Sequence, residues 1–159
     1  MAQRYRYRDR GLLSSDFLSL ISVQCPQCHQ CVSVKPKADT QAGLFSPRRL
    51  SCLSCGLTKD WNGRQIGGGS SSVPTDWSFH LPFWLQASCC GEILWAYNRD
   101  HLDFLEDSVQ ATLREGLPEQ ATAFFRNKTV ASRLPKWIKK AKNRQKILKK
   151  IAVLRSTLP

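Results

Sequence analysis

The sequence predicts an α+β protein, with antiparallel β-hairpins first and helices towards the C-terminus. Two Cys-x-x-Cys motifs, at residues 25–28 and 52–55, are flanked by stretches in which apolar and polar residues alternate, as in half-buried strands. A second pair of strand-like stretches surrounds Cys89-Cys90-Gly91. Apolar residues then recur at three- and four-residue steps after residue 100, a spacing typical of amphipathic helices.

The strands are predicted from alternation and from enrichment in β-branched and aromatic residues. Residues 21–23 lead into the first cysteine motif, residues 32–34 leave it, and residues 43–50 return to the second. Residues 79–88 and 92–97 form the second hairpin. Antiparallel pairing is expected in both hairpins because the connections are short.

Four helical segments are predicted, at residues 12–20, 101–113, 119–133 and about 135–155. The first is a short turn capped by Ser14 or Ser15, since serine accepts hydrogen bonds from the free amides of a helix start. Pro135 suits the first turn of the last helix. The apolar stripe of that helix is Ile138, Ala141, Leu148, Ile151 and Leu154.

The two motifs predict a metal site formed by Cys25, Cys28, Cys52 and Cys55. Zinc prefers four tetrahedral ligands, and thiolates serve well in structural sites. The 23 residues between the motifs are enough for a strand, a turn and a returning strand. Four thiolates leave no open coordination position, so we expect Zn²⁺ to stabilise a small zinc ribbon rather than to catalyse a reaction.

The ligands of the first motif have alternatives. Cys31 follows Cys28 at the same spacing, and His29 offers another donor. We prefer Cys25 with Cys28 because Pro26 occupies the position where a zinc-ribbon loop often has proline, which leaves Cys31 as a buried thiol on the next strand.

Cys89 and Cys90 are interpreted as turn and core residues, because adjacent cysteines rarely chelate one metal together. A second metal site that combines them with His80 or His101 is the alternative. The two histidines are otherwise interpreted as surface or packing residues.

The positive charge is concentrated at the C-terminus. Of the 24 Lys and Arg residues, 12 lie in residues 120–159, which contain none of the 12 Asp and Glu residues, so the net charge of +12 belongs to this segment. An acid-free cationic segment favours a polyanionic partner. Nucleic acid is the preferred partner, with phosphate contacts that are salt-sensitive and weakly sequence-specific; an anionic membrane surface and a solvated face are the alternatives.

The candidate nucleic-acid contacts are cations near the second cysteine motif and in the last helix. They are Arg48, Arg49, Lys136, Lys139, Lys140, Lys142, Arg144, Lys146, Lys149 and Lys150. A basic N-terminal arm, in which Arg4, Arg6, Arg8 and Arg10 alternate with tyrosines, is expected to be flexible. Tyr5 and Tyr7 are candidates for stacking on bases.

A protein-docking adaptor for transcription or translation machinery is the alternative function, with the exposed aromatic residues Trp77, Phe83 and Trp84 as contacts. We expect no enzyme activity, because a Gly-rich phosphate loop, a nucleophile elbow and a His-Glu metal motif are all missing from the sequence. Acidic residues at 100, 103, 106 and 107 are interpreted as a solvated helix face. The sequence contains no apolar run long enough for a membrane span, and a cytoplasmic location without a small-molecule substrate is expected.

Five segments are predicted. They are a basic arm (1–20), a zinc ribbon (21–66), a Gly/Ser linker (67–77), a β-hairpin with a helix (78–119) and a basic helical tail (120–159).

The motifs resemble those of small bacterial proteins described as transcription factor IIB-type zinc ribbon proteins. The matching residues are Cys25-Pro26-Gln27-Cys28, Cys52-Leu53-Ser54-Cys55-Gly56, Trp84-Leu85, Cys89 to Asn98 and Arg133 to Trp137. Ribbons of this type serve in transcription and translation proteins and as protein-docking modules, so the resemblance implies a fold more than an activity.

Overall fold

The computed structural model describes residues 5–38, 43–64 and 71–159. These residues form a mixed α+β fold, in which two antiparallel sheets and one short parallel pair accompany four α-helices. Residues 1–4 of the predicted basic arm and residues 67–70 of the predicted linker lie outside the described ranges. The boundaries between the predicted segments stay predictions.

Four antiparallel strands form the first sheet, which we call the cysteine sheet. They are β2 (Ile21–Gln24), β3 (Cys31–Pro36), β4 (Arg48–Ser51) and β5 (Thr58–Trp61), in the order β2-β3-β4-β5. Val23 pairs with Val32, and Val34 pairs with Leu50. These side chains are buried on one face because successive residues of a strand point to opposite sides of the sheet. Strand β5 was not predicted, since all but its last residue are exposed.

The second hairpin joins β6 (Leu85–Cys89) to β7 (Glu92–Ala96), as predicted but with a later start. Cys90 and Gly91 form the two-residue turn with φ values of 56° and 81°. Two consecutive positive φ angles match the twist of a tight hairpin. Gly91 adopts this conformation without strain, whereas Cys90 is a residue type that seldom does.

Helix α1 (Arg99–Gln110) packs with the last helix, α4 (Arg144–Ser156), and with β6 and β7 around the larger apolar core. Asn98 caps α1, because its side-chain oxygen accepts a hydrogen bond from the His101 amide. The same side chain donates to the carbonyl oxygens of Phe17 and Leu20. Asn98 therefore attaches the start of α1 to the N-terminal segment.

The N-terminal segment is integrated into the fold and is not the flexible arm that we predicted. Strand β1 (Arg6–Arg8) pairs in parallel with β8 (Leu113–Glu115). Tyr7 is only 8% exposed and packs edge-on against Phe104, so it is unavailable to stack on a base. Leu113, the last residue of the predicted helix 101–113, lies in β8 because α1 ends at Gln110.

The predicted turn near residue 14 is a 3₁₀ helix at Ser14–Phe17. Its cap differs from the prediction, because neither Ser14 nor Ser15 caps the helix with its side chain. The Asp16 carboxylate accepts a hydrogen bond from the Leu13 amide instead. Within the predicted segment 119–133, the helical part is α2 (Ala123–Arg126), where Phe124 is 71% exposed.

The predicted continuous helix at 135–155 is broken. Helix α3 (Lys136–Lys139) is followed by Lys140 in an extended conformation, a 3₁₀ turn at Ala141–Asn143, and then α4. The Asn143 side chain donates a hydrogen bond to the carbonyl oxygen of Trp137, which holds the two parts at this bend. Ile147, absent from the predicted stripe, is fully buried, whereas Ala141 is exposed.

The described residues include no helix with the length and apolar character that crossing a bilayer requires.

Candidate metal centre

Two loops of the cysteine sheet bring four thiols together. The β2–β3 loop carries Cys25 and Cys28, and the β4–β5 loop carries Cys52 and Cys55. All four sulfur atoms lie within 4.8 Å of one another. The Cys25 and Cys55 sulfurs are 3.7 Å apart, and those of Cys28 and Cys52 are 3.5 Å apart. Four sulfurs bound at 2.3 Å to a tetrahedral zinc lie about 3.8 Å apart, so the cluster has nearly the dimensions of an occupied site.

The two loops share one backbone conformation. The amide of the first cysteine donates to a carbonyl five residues later, from Cys25 to Gln30 and from Cys52 to Leu57, each at 2.8 Å. The residue after the second cysteine has a positive φ, 62° at His29 and 75° at Gly56. His29 thus serves the first loop through its backbone, and its side chain lies outside the four-sulfur cluster.

Hydrogen bonds from loop amides favour thiolates at this site. The backbone amide of Cys55 is the main reason that the pKa of Cys52 falls to about 6. For Cys55, the amide of Leu57 acts in the same direction, but burial and the three neighbouring thiols raise its pKa to about 12. Against the effect of burial, loop amides also lower the pKa of Cys25. Burial and the neighbouring thiols raise the pKa of Cys28 against the amide of Gln30. Two sulfurs therefore lose their protons more readily than the other two, and a bound cation removes this mutual repulsion. The residues present fit a metal ion.

The alternative ligands lie elsewhere. Cys31 is half-buried on β3, where burial raises the pKa of its thiol. Cys89 and Cys90 occupy the β6–β7 turn with their sulfurs 3.6 Å apart. Within residues 5–38, 43–64 and 71–159, the four-cysteine cluster is the one group of Cys, His, Asp and Glu placed to hold a metal ion, so the alternative second site is not formed there.

His101 is a packing residue. It is 8% exposed, stacks against Phe17 and Tyr97, and accepts a hydrogen bond at Nδ1 from the Tyr97 amide. Burial lowers the pKa of His101 to about 4, so the imidazole is neutral at physiological pH. His80, by contrast, is exposed.

Arg48 has no surface for a phosphate contact, contrary to our prediction. Its side chain is fully buried and donates hydrogen bonds to the carbonyl oxygens of Leu18 and Gly43. The guanidinium also lies 5.1 Å from the centre of the Trp77 ring. Burial lowers the pKa of Arg48, and the charge of Asp76 opposes that shift. Arg48 therefore serves the fold.

Two further cations predicted to contact nucleic acid have partners within the protein. Arg49 is exposed and forms a two-bond ion pair with Asp60, at 2.7 and 2.9 Å. Arg144 is half-buried and donates to the carbonyl oxygens of Val109 and Ala111 at the end of α1. Arg49 remains accessible, whereas Arg144 has a structural role.

The remaining predicted cations are lysines on the molecular surface. Lys139 and Lys150 are half-buried. The other five are exposed, and we call them the tail lysines: Lys136, Lys140, Lys142, Lys146 and Lys149. Residues 120–159 are all described, and the one cation among them that forms ion pairs is Arg155. It binds Asp103 and Glu106 of α1. Two of the four acidic residues that we interpreted as a solvated helix face, Asp103 and Glu106, thus connect α1 to α4.

The aromatic residues predicted to dock a partner belong largely to the core. Phe83 is 4% exposed and stacks on Trp95 with ring centres 4.8 Å apart. Trp77 and Trp84 are half-buried, and their indole N–H groups donate to the carbonyl oxygens of Leu44 and Thr157.

The structure brings together a group of polar residues that the sequence analysis did not place at one site. Tyr7, Ser108 and Arg114 line one cavity together with Arg126 and Lys139. The pairing of β1 with β8 brings Tyr7 to this place from more than 100 residues away, and no local pattern signals such a contact.

Comparison of the chain with models of known protein families, with curated proteins and with solved structures gave no match.

Proposed function

We propose that the protein is a non-enzymatic zinc-ribbon protein that binds DNA or RNA through phosphate contacts from the tail lysines. Zinc is the proposed ion because four clustered thiolates suit its tetrahedral preference. The proposal includes kinship with transcription factor IIB-type ribbons, which share the Cys-x-x-Cys pairs. The observation that carries it is the acid-free C-terminal segment, whose exposed lysines have no carboxylate partner among the residues that the structure describes.

The architecture of α4 supports this function. Ile147, Ile151 and Leu154 are buried against α1 and β6, so the apolar stripe is used for folding and is unavailable for insertion into a membrane. Lys146 and Lys149 of the same helix remain exposed. Like charges without counter-ions repel one another, and a polyanion relieves that repulsion while releasing its own counter-ions.

A protein-docking adaptor remains the second candidate, with different contacts from those predicted. Leu53, at the tip of the second cysteine loop, is completely exposed, and Phe45 is 67% exposed. Leu53 lies on a loop that the proposed ion would stabilise, whereas Phe45 lies on the β3–β4 connection at the opposite end of the sheet. An exposed apolar side chain at either end offers a contact to a protein partner.

Charge removal at four tail lysines tests the proposal. The variant carries Lys140→Gln, Lys142→Gln, Lys146→Gln and Lys149→Gln. Its matched control carries Lys35→Gln, Lys59→Gln, Arg64→Gln and Arg99→Gln, four exposed cations outside the tail. Fluorescence anisotropy with random-sequence duplex DNA and RNA, over a series of salt concentrations, measures affinity and the number of phosphate contacts.

We expect the tail variant to lose most of its affinity, and its salt dependence on duplex DNA to decrease by about 0.9 for each contact removed. The control variant should retain most of its affinity and most of its salt dependence. Equal losses in the two variants, or weak binding by the intact protein, would contradict the proposal and favour the adaptor. Deleting residues 134–159 is a poor test, because the deletion also removes four buried core residues, Ile138, Ile147, Ile151 and Leu154.

A further inference from the structure

An open cavity of about 360 Å³ lies where the N-terminal strand meets the C-terminal segment. Its walls include Tyr7 of β1, Ser108 of α1 and Lys139 of α3. The volume is at the small end of the range for ligand pockets. Distant parts of the chain thus converge on one recess.

Two hydroxyl groups of residues that line this cavity are buried, and no described residue forms a hydrogen bond with either. The side-chain oxygens of Tyr7 and Ser108 are buried and unpaired among the described residues. Arg10 and Ser108 are close enough to the phenol to lower the pKa of Tyr7 against the dominant effect of burial, but neither forms a hydrogen bond of acceptable geometry. Buried hydroxyls are normally paired, so these two donors indicate a missing acceptor.

The cavity also contains cations that have no carboxylate partner within the described part of the chain. Arg114 donates only to the carbonyl oxygens of Ser108 and Lys139, and its pKa is lowered by burial and by the neighbouring charge of Arg144. Arg126 is exposed, and Lys139 donates to the carbonyl oxygen of Ser132. An anion here would offset both the burial and the repulsion.

The two carboxylates of the cavity already have partners. Asp9 accepts hydrogen bonds from the Gly11 amide and the Thr129 hydroxyl. Glu115 pairs with Arg6 and Arg8. A water molecule would satisfy the two free hydroxyls but would leave the cations uncompensated, whereas a phosphate group offers several acceptors and negative charge together.

We infer that this cavity binds a phosphate group, held by Arg114, Arg126 and Lys139 and by the hydroxyls of Tyr7 and Ser108. The group belongs either to a free nucleotide or to the 5′ end of a nucleic-acid strand. The inference goes beyond the proposed function, because the tail lysines changed in the test above do not line the cavity.

Calorimetric titration of the 159-residue chain, loaded with zinc, tests this site. The probes are inorganic phosphate, adenosine 5′-monophosphate, and one short oligonucleotide with either a 5′-phosphate or a 5′-hydroxyl. The variants are Tyr7→Phe, Ser108→Ala and Arg126→Gln, with Lys59→Gln as a control of equal charge change outside the cavity. Thermal unfolding of each variant reports on its folding.

We expect at least one phosphate probe to bind the intact protein. Arg126→Gln should lower the affinity for that probe by about tenfold. Tyr7→Phe and Ser108→Ala should each weaken it by roughly threefold or more, since each removes one donor. Ser108→Ala should unfold at the same temperature as the intact protein or higher, because it deletes an unpaired buried hydroxyl. The control should bind normally.

A stronger response to the phosphorylated strand than to the monophosphate identifies a strand end, and the reverse identifies a free nucleotide. The inference is wrong if no phosphate probe binds the intact protein, or if the three cavity variants bind as tightly as the control. Failure here is separate from failure of the proposed function, which concerns binding of the 5′-hydroxyl strand through the tail lysines.

Discussion

Arg48 and Arg49 are adjacent on β4 and lie in opposite environments. Alternation along the strand directs Arg48 into the core and Arg49 to the surface. The sequence presents both only as a pair of cations before a cysteine motif. Their different roles follow from the register with β3, in which Arg48 is opposite Pro36 and Arg49 is opposite Lys35.

We predict that Arg48→Ala destabilises the protein by about 3 kcal/mol, because it removes the donor to the buried carbonyl oxygen of Leu18 and the half-buried one of Gly43 and opens a cavity. Arg49→Ala is the matched control and should change the free energy of unfolding by less than about 1 kcal/mol, since its ion pair is solvent-exposed. Urea unfolding of both variants measures the difference. Similar values for the two would contradict the burial of Arg48.

His101 makes stability depend on pH. Its pKa is about 4 in the folded protein against an ordinary value of 6.5, so between these values the unfolded chain binds a proton that the folded protein does not. Stability should therefore fall as the pH decreases from about 6.5 to 4, by at most about 3 kcal/mol from this residue. Below pH 4 both states are protonated and the contribution stops growing.

Comparison with His101→Gln isolates this effect, because loss of metal at low pH affects both proteins. The glutamine side chain supplies an acceptor for the Tyr97 amide, so the substitution removes the titration with little change in packing. We expect the difference in unfolding free energy between the two proteins to vary with pH across this window. A constant difference would show that His101 titrates normally.

At the scale of elements, local patterns predicted what depends on local interactions. The strands beside the cysteines, the β6–β7 hairpin and most of α1 were recognisable because alternation or helical spacing persists over several residues. The four cysteines of the cluster were recognisable because their spacing is short and repeated. The pairing of β1 with β8 was not predictable, since each strand has three residues and the stabilising contact is distant in sequence.

The bend at Lys140 shows how tertiary contacts override a periodic pattern. Residues 135–155 contain no Gly or Pro after Pro135, so the sequence alone favours one helix. The chain instead turns so that Arg144 reaches the carbonyl oxygens at the end of α1. A guanidinium at a helix C-terminus pairs with groups that have no partner in the helix itself.

We predict that Arg144→Gln destabilises the protein by about 1–2 kcal/mol through loss of these charged hydrogen bonds. Lys146→Gln, two residues later on the surface, should change the free energy of unfolding by less than about 0.5 kcal/mol. Thermal and urea unfolding compare the two. If Arg144→Gln were as stable as Lys146→Gln, the contact with α1 would have little structural value.

At the scale of the whole molecule, the fold contains two apolar clusters with different dependence on the metal centre. One lies within the cysteine sheet and includes Cys25 and Cys52, and the other is built from α1, α4, β6 and β7. The first contains two of the proposed ligands, so its stability should depend on the ion. The second has no ligand within it.

Removal of zinc by a chelator at neutral pH should therefore expose β2 to β5 before the rest of the protein. Amide hydrogen exchange measures this, with Val34 and Leu50 as reporters of the cysteine sheet and Leu94 and Ile151 as reporters of the other cluster. We expect exchange at the first pair to accelerate by several orders of magnitude while the second pair stays protected. Uniform exchange would instead indicate a single cooperative unit.

The parallel pairing of β1 with β8 has a consequence for synthesis on the ribosome. Arg6 and Leu113 are partners in that pairing, and at roughly 5–20 residues per second the second strand emerges many seconds after the first. Both cysteine loops leave the exit tunnel well before then, because β5 ends at Trp61. Capture of the proposed zinc ion can thus precede pairing of the N-terminal strand, and the nascent chain presents Tyr7 to solvent until residue 115 has left the tunnel.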